Sequence, residues 1–241
     1  MKKFWKKILF ILIVFVLIAG IATPIVQTPK SFFEFPIIPG LEDKAKIIFF
    51  HVPTAWITVF AYLFAMFYGI KYLKFKEISY DLKSVSAAAL GLMFCLLATI
   101  TGSVWAKFNW GSFWHWDPRE TSIFILLLIY GAYFALRSAL EGEDKRARLS
   151  AIYSIIAFIT TPFFIFIMPR IMVGLHPGAL EIDAATGQVQ ASASPVIQFK
   201  MDPNMRIVFF VSLFAFTILF FWMWNLTYRV LKLEYKLNIE N

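Results

Sequence analysis

The sequence predicts an all-α, polytopic membrane protein with six transmembrane helices. Of the 241 residues, 60% are hydrophobic and 16% are charged, whereas a soluble domain carries roughly a quarter charged residues. The apolar residues fall in blocks of about twenty, which is the length that a helix needs to cross the hydrocarbon core of a bilayer. The gaps between the blocks leave no room for a large soluble domain, so we expect one membrane domain over residues 1–241.

Local signals support the predicted spans in turn. The first block follows four lysines. We interpret it as a retained span rather than a signal peptide, because its apolar run is long and shows no clear small-residue cleavage site. Pro162 predicts a kink in the fifth block, because proline removes a helical hydrogen bond. The six predicted spans cover residues 8–26, 47–70, 85–104, 121–137, 149–168 and 207–226.

The basic residues predict the topology. Both termini and the two loops assigned to the cytoplasm hold 15 of the 23 lysines and arginines, which agrees with the positive-inside rule. Because these residues flank apolar blocks, we attribute the net charge of +8 to contact with an anionic lipid bilayer and expect no nucleic-acid partner. Cys95 is the only cysteine, which excludes an internal disulfide and a Cys-x-x-Cys-His motif.

A tryptophan-rich stretch over residues 105–121 follows the third predicted span, on the extracytoplasmic side. Tryptophan is common at membrane interfaces, because its ring is apolar and its N–H is polar, but four indoles in one stretch exceed that expectation. If the stretch is helical, Trp110 and Trp114 lie on one face, where a flat porphyrin can stack. The four tryptophans are Trp105, Trp110, Trp114 and Trp116.

The run Asp117-Pro118-Arg119-Glu120 predicts the start of the fourth helix. Aspartate at the N-cap, proline at N1 and glutamate at N3 make a capping box. Arg119 and the free N–H groups of the first turn favour an anion there, either a carboxylate of a bound ligand or a lipid phosphate. On this interpretation Asp117 is as much a scaffold residue as a ligand contact.

Two histidines flank the tryptophan-rich stretch and fall on the same predicted side of the membrane. His51 lies at the outer end of the second predicted span, and His176 lies in the predicted loop 169–206. Contact with lipid headgroups would explain either histidine by itself. An ionisable side chain near lipid is nevertheless a functional candidate by default. Beside the tryptophans, the pair is interpreted as two axial ligands of a haem iron. His115 is a third candidate, or else a part of the aromatic platform.

These residues also carry a family resemblance. TGSVWAK at residues 101–107 and WGSFWHWD at residues 110–117 resemble the tryptophan-rich "WWD" signature of the cytochrome c assembly membrane proteins. HVP at residues 51–53 and LHPG at residues 175–178 resemble the two histidine sites of that superfamily. With six spans, the chain best resembles the haem exporter protein C family of the system I cytochrome c maturation pathway.

The resemblance implies a function and a set of residues. Such proteins bind non-covalent haem b at the periplasmic face of the bacterial or archaeal cytoplasmic membrane and present it to a periplasmic haem chaperone. ABC-type subunits and a small membrane adaptor subunit complete the assembly, and no catalytic residue is implied. The implied axial ligands are His51 and His176, and the implied platform residues are Trp110, Trp114, Trp116 and Asp117. We add Arg119 to the haem-binding residues, because its positive charge favours an acidic group of the ligand.

Three other functions stay open. A cytochrome c synthetase component would deliver haem directly to apocytochrome c on the same platform, although the chain is short for that role. Residues 118–120 look more like the corresponding run in such synthetase components than like that of the exporter family. The Ala/Ser/Gln-rich insert at 183–195 also departs from the exporter pattern. A cytochrome b-like electron carrier would place paired histidines within the spans, and a plain ABC permease would not need the tryptophans.

Overall fold

Six long helices dominate the computed structural model, which describes residues 4–176, 179–182, 187–191 and 201–240. Within these residues, six helices are long and apolar enough to cross a membrane, and each overlaps one predicted span, so the predicted fold class is confirmed. The helices are α1 (Phe4–Ala22), α2 (His51–Phe75), α3 (Ile78–Trp110), α4 (Pro118–Ala139), α5 (Glu143–Pro162), the short α6 (Met168–Ile171) and α7 (Pro203–Glu240).

Shorter elements connect these helices. A 3₁₀ helix over Glu42–Phe49 leads into α2, and a π-helical segment over Phe163–Ile167 continues α5. The change from α to π geometry begins directly after Pro162, the residue at which a kink was predicted. Two small sheets complete the fold: β1 (Ile25–Val26) pairs in parallel with β2 (Phe35–Pro36), and β3 (Leu180–Ile182) pairs antiparallel with β4 (Val189–Ala191).

Helix ends follow local chemistry more than the apolar runs. The helix α1 ends at Ala22, earlier than predicted, because Pro24 restricts the residue before it. In contrast, α3 continues past the apolar block to Trp110 and is stopped by Gly111, whose φ of 87° is readily adopted by glycine. Residues 111–117 are not helical. The predicted shared helical face of Trp110 and Trp114 is therefore wrong.

The middle of the bundle is packed around close approaches between helices. A Cβ on Gly91 would lie 2.4 Å from Cε1 of Tyr62, so only glycine lets α3 pack against that ring. Cys95 is buried beside Tyr62 and Tyr130, as expected for a small apolar residue within a span. These contacts hold α2, α3 and α4 together.

Side-chain contacts define the two ends of the bundle. One end of the bundle carries His51 and His176, and we call it the histidine end. There the ring N–H of Trp105 donates to the carbonyl of Lys44 over 3.1 Å. At the opposite end, both guanidinium nitrogens of Arg137 donate to the Asp81 carboxylate, over 2.8 and 2.5 Å. Breaking such a buried pair is strongly destabilising, because it leaves one charge uncompensated. This two-bond ion pair therefore links the start of α3 to the end of α4.

Candidate functional site

A cavity of about 650 Å³ opens at the histidine end of the bundle. This volume falls within the range of roughly 300–1,000 Å³ that small-molecule sites occupy. Its walls come from the 3₁₀ helix, α2, α3, α4 and the π-helical segment, and they are mainly apolar. The polar or aromatic lining includes His51, Trp105, Trp114, Arg119, Arg170 and His176. The fold thus brings both candidate histidines to one cavity.

His51 is held against α3 by a hydrogen bond to Thr101. Nδ1 of His51 lies 2.9 Å from Oγ1 of Thr101, and that hydroxyl itself donates to the carbonyl of Leu97 over 2.8 Å. Because the hydroxyl proton is engaged there, its oxygen accepts the Nδ1–H of His51. The ring is therefore the tautomer with a free lone pair on Nε2, and Nε2 has no hydrogen bond to any described residue.

We expect that replacing Gly102 with alanine disturbs His51. The added Cβ would lie 2.9 Å from Cε1 of the His51 ring, so the ring must move away from Thr101. Gly131→Ala is the matched control, because a Cβ there meets no atom within 4 Å and should stabilise α4 by roughly 0.5–1 kcal/mol. Thermal unfolding of both variants checks this. A Gly102→Ala variant stabilised as much as Gly131→Ala would contradict it.

His176 is oriented in the same way by a different partner. Its Nδ1 lies 2.8 Å from Oδ1 of Asp117. A carboxylate only accepts, so Nδ1 carries the proton, and in the neutral ring the lone pair is then on Nε2. The ring packs edge-on against Trp110, with ring centroids 4.8 Å apart. Metal-ligating histidines almost always donate the other ring N–H to such an acceptor, so both histidines have the arrangement of metal ligands.

Asp117 joins α4 to the segment that carries His176. Its carboxylate accepts the N–H of Arg119 over 2.9 Å, which caps α4, and the N–H of Leu175 over 2.6 Å, besides the His176 bond. The Glu120 side chain completes the predicted capping box. Gly174 permits this approach, because a Cβ there would lie 2.7 Å from Oδ2 of Asp117. Asp117 thus holds a candidate ligand in place and does not itself line the cavity.

The ionisation of Asp117 follows from these partners. Burial raises the pKa of its carboxyl, but the interaction with the His176 ring outweighs burial. Together with the hydrogen bonds from the N–H groups of Arg119 and Leu175, this interaction lowers the pKa to about 2. Because this folded-state pKa lies below the ordinary value for aspartate, the stabilisation is complete at neutral pH. It is lost as the pH falls from about 4 toward 2.

Arg119 supplies a positive charge to the cavity wall. Its Nε is buried and has no hydrogen-bond partner among the described residues. A buried donor without an acceptor costs roughly 1–3 kcal/mol, so an acidic group on a bound ligand would relieve this cost. Arg170 also lines the cavity, but one of its guanidinium nitrogens donates to the carbonyl of Phe166. Arg119 is therefore the better-placed anion contact.

The tryptophans divide into two groups. Trp105 and Trp114 line the cavity, whereas Trp110 lies behind His176 and supports its ring. Trp116 does not line the cavity: it is 66% exposed and packs edge-on against Trp114. Its φ of 57° is uncommon for a non-glycine residue. Of the tryptophans predicted to form the platform, only Trp114 faces the cavity, and Trp105 was left out of that prediction.

His115 lies outside the cavity lining. The ring Nε2 of His115 lies 3.2 Å from the carbonyl of Trp110, and its backbone N–H donates to Glu120. His115 thus braces the turn between α3 and α4. Pro177 and Gly178, and most of the insert at 183–195, lie outside the described residues. Sequence reasoning assigned no role to Thr101, Gly102 or Gly174, whose importance depends on contacts between distant segments.

Comparisons with known proteins identify relatives over most of the chain. The family model for heme exporter protein C matches residues 1–240. Heme exporter protein C of Bradyrhizobium diazoefficiens is 35% identical over 50% of this chain and 46% of its own length. The Paracoccus denitrificans protein is 33% identical over 61% of each chain. The Escherichia coli K12 protein is 27% identical over 83% of this chain and 76% of its own. The first two alignments thus span less than two thirds of those relatives.

Proposed function

Because the chain belongs to the haem exporter protein C family, we propose that it binds haem b non-covalently and delivers it for the maturation of c-type cytochromes. In this proposal the haem is cargo, held in the cavity with its iron between His51 and His176. One observation carries it: both histidines line one cavity, and neither Nε2 has a hydrogen bond to any described residue. The protein then acts as a delivery protein rather than an enzyme.

The other parts of the cavity support this assignment. The lining is mainly apolar, as a porphyrin face requires, and the indoles of Trp105 and Trp114 are among the lining groups. Arg119 would pair with a propionate, the one kind of strongly acidic group on haem. The iron would supply two axial coordination positions, and the chain's contribution would be to fix the tautomer and orientation of each imidazole.

We expect Arg119→Gln to weaken haem retention by about tenfold, because it removes a charge-assisted contact worth on the order of 1.5 kcal/mol. Haem titration into the purified protein, followed by absorbance, measures this effect. Lys107→Gln is the matched control, since Lys107 bonds the carbonyl of Gly111 and does not line the cavity. Equal haem affinity in the two variants would remove Arg119 from the site.

The family assignment also supports a place within a larger assembly. We expect a multi-pass protein of the bacterial cytoplasmic membrane with both termini inside, so that the cavity opens at the periplasmic face. A periplasmic haem chaperone would receive the haem there. ABC-type subunits, with a small membrane adaptor subunit, would then release the loaded chaperone, because this chain carries no glycine-rich nucleotide loop of its own.

Haem transfer in solution tests this function. The full chain, expressed with ample haem and purified in detergent, should show a Soret band typical of six-coordinate b-type haem. Adding the purified haem chaperone should move that haem to the chaperone. A preparation with no Soret absorbance would overturn the haem assignment. Haem that stays bound in the presence of chaperone would overturn the delivery step alone.

A cytochrome c synthetase component is the second candidate. The observation that favours it is the run at residues 118–120, in which Arg119 and Glu120 both line the cavity. In that case haem would pass directly to an apocytochrome. Mixing the haem-loaded protein with reduced apocytochrome c should then give covalent haem attachment without a chaperone, whereas the exporter function predicts none.

A further inference from the structure

Three lysines from three helices surround a group of tyrosines at the end opposite the histidines. Lys71 lies on α2, Lys83 on α3 and Lys232 on α7. The ammonium of Lys71 lies 5.7 Å from the ring centroid of Tyr68 and 5.6 Å from that of Tyr80. The ammonium of Lys83 lies 5.5 Å from both of these centroids. Two positive charges therefore converge on the same pair of rings.

The third lysine joins through Tyr228. This ring lies 5.3 Å from the ammonium of Lys83 and 5.9 Å from that of Lys232. The backbone carbonyl of Lys83 accepts a hydrogen bond of 3.0 Å from the indole N–H of Trp224. This bond holds α3 against α7 beside the lysines. The lysine cluster, as we call Lys71, Lys83 and Lys232 with their tyrosines, is thus part of the contact between α2, α3 and α7.

Among the described residues, no carboxylate forms a salt bridge with the ammonium groups of these three lysines. The salt bridges there are Lys46–Asp43 and Arg137–Asp81, and the remaining contact of this kind joins His176 to Asp117. Lys71 and Lys83 are half-buried, so water screens them incompletely. A cation–π contact attracts the ammonium group to the ring but removes no charge. An anion bound between the ammonium groups would relieve their repulsion.

The surroundings of the lysine cluster favour a lipid as the source of that anion. Phe67 touches the Lys71 ammonium at 4.6 Å and is 47% exposed, and Phe221 packs near Trp224 and is 42% exposed. These outward-facing rings lie on membrane-spanning helices, where acyl chains would contact them. Basic pockets between transmembrane helices bind anionic headgroups. We infer that the lysine cluster binds the phosphate headgroup of an acidic phospholipid, with its acyl chains along Phe67 and Phe221.

Native mass spectrometry of the full chain tests this inference. Protein released from vesicles of equal phosphatidylglycerol and phosphatidylcholine should retain the acidic lipid. The double variant Lys71→Gln/Lys83→Gln should bind phosphatidylglycerol about 30-fold more weakly, since each lysine near an acidic lipid contributes on the order of 1 kcal/mol. Lys74→Gln/Lys236→Gln is the matched control, because it removes the same charge from exposed positions at the same end.

The outcomes separate the lipid from its alternatives. Equal retention of phosphatidylglycerol by the two double variants would overturn the site. Displacement of the lipid by millimolar pyrophosphate would show that the cluster takes soluble phosphates and would overturn the lipid assignment. An unchanged thermal unfolding midpoint in both double variants shows that the comparison is between folded proteins. If Lys71→Gln/Lys83→Gln unfolds, the single variants Lys71→Gln and Lys83→Gln should each give about a fivefold loss.

Discussion

Haem is expected to be lost from a variant in which His51 and His176 are both replaced with alanine. Each imidazole is set by a hydrogen bond at Nδ1 that leaves Nε2 available, so under the proposed function the pair would supply both axial positions of the iron. Removing one should leave weaker binding and a changed absorption spectrum. Removing both takes away both imidazoles and leaves the apolar walls, the lining indoles and arginines such as Arg119. The measurement is the haem-to-protein ratio after purification, together with the absorbance spectrum of each variant.

His115→Ala is the control for this pair. Its ring bonds the carbonyl of Trp110 and does not line the cavity, so its spectrum should match that of the wild type. A normal spectrum in both His51→Ala and His176→Ala, with an altered one in His115→Ala, would transfer the ligand role to His115.

Replacing Asp117 with alanine is the second change with a large expected effect. The loss of the hydrogen bonds from Leu175 and His176 frees the segment carrying His176, and losing a partner that orients a metal ligand costs about 10–100-fold in affinity. The same change removes the N-cap of α4, which costs about 1 kcal/mol of stability. Haem titration measures the first effect, and thermal unfolding measures the second.

Asp117→Ser separates these two effects. Serine is a good N-cap, so the start of α4 should be restored, but its shorter side chain does not reach His176 or Leu175. We expect this variant to unfold near the wild-type temperature while still binding haem about tenfold more weakly. Wild-type haem affinity in Asp117→Ser would mean that Asp117 acts only as a cap.

Local and repetitive features of this fold could be predicted from the sequence. The six spans were evident because bilayer thickness sets their length, and the cap at Asp117 was evident because capping chemistry is confined to four residues. The meeting of His51 and His176 at one end also followed, since the number of spans between them determines the side of the membrane on which each lies.

Contacts between distant segments could not be predicted in the same way. The bond from His176 to Asp117 joins residues 59 apart in the chain, and no local pattern indicates it. The end of α3 was also missed, because Lys107 and Asn109 look like loop residues although they are compatible with a helix beyond the hydrocarbon. That error placed Trp110 and Trp114 on one face, whereas Trp110 supports His176 and Trp114 faces the cavity.

The buried position of Cys95 makes the chain suited to thiol labelling. Maleimides that do not cross membranes should leave the wild-type protein unmodified, because its single thiol is buried beside the rings of Tyr62 and Tyr130. A cysteine at Ser112 or at Ser138, exposed serines at the two ends of the bundle, would then be the only reactive thiol. Labelling in intact cells with a permeable outer membrane at Ser112→Cys, and not at Ser138→Cys, is expected if the cavity is periplasmic. The reverse pattern would invert the assigned orientation.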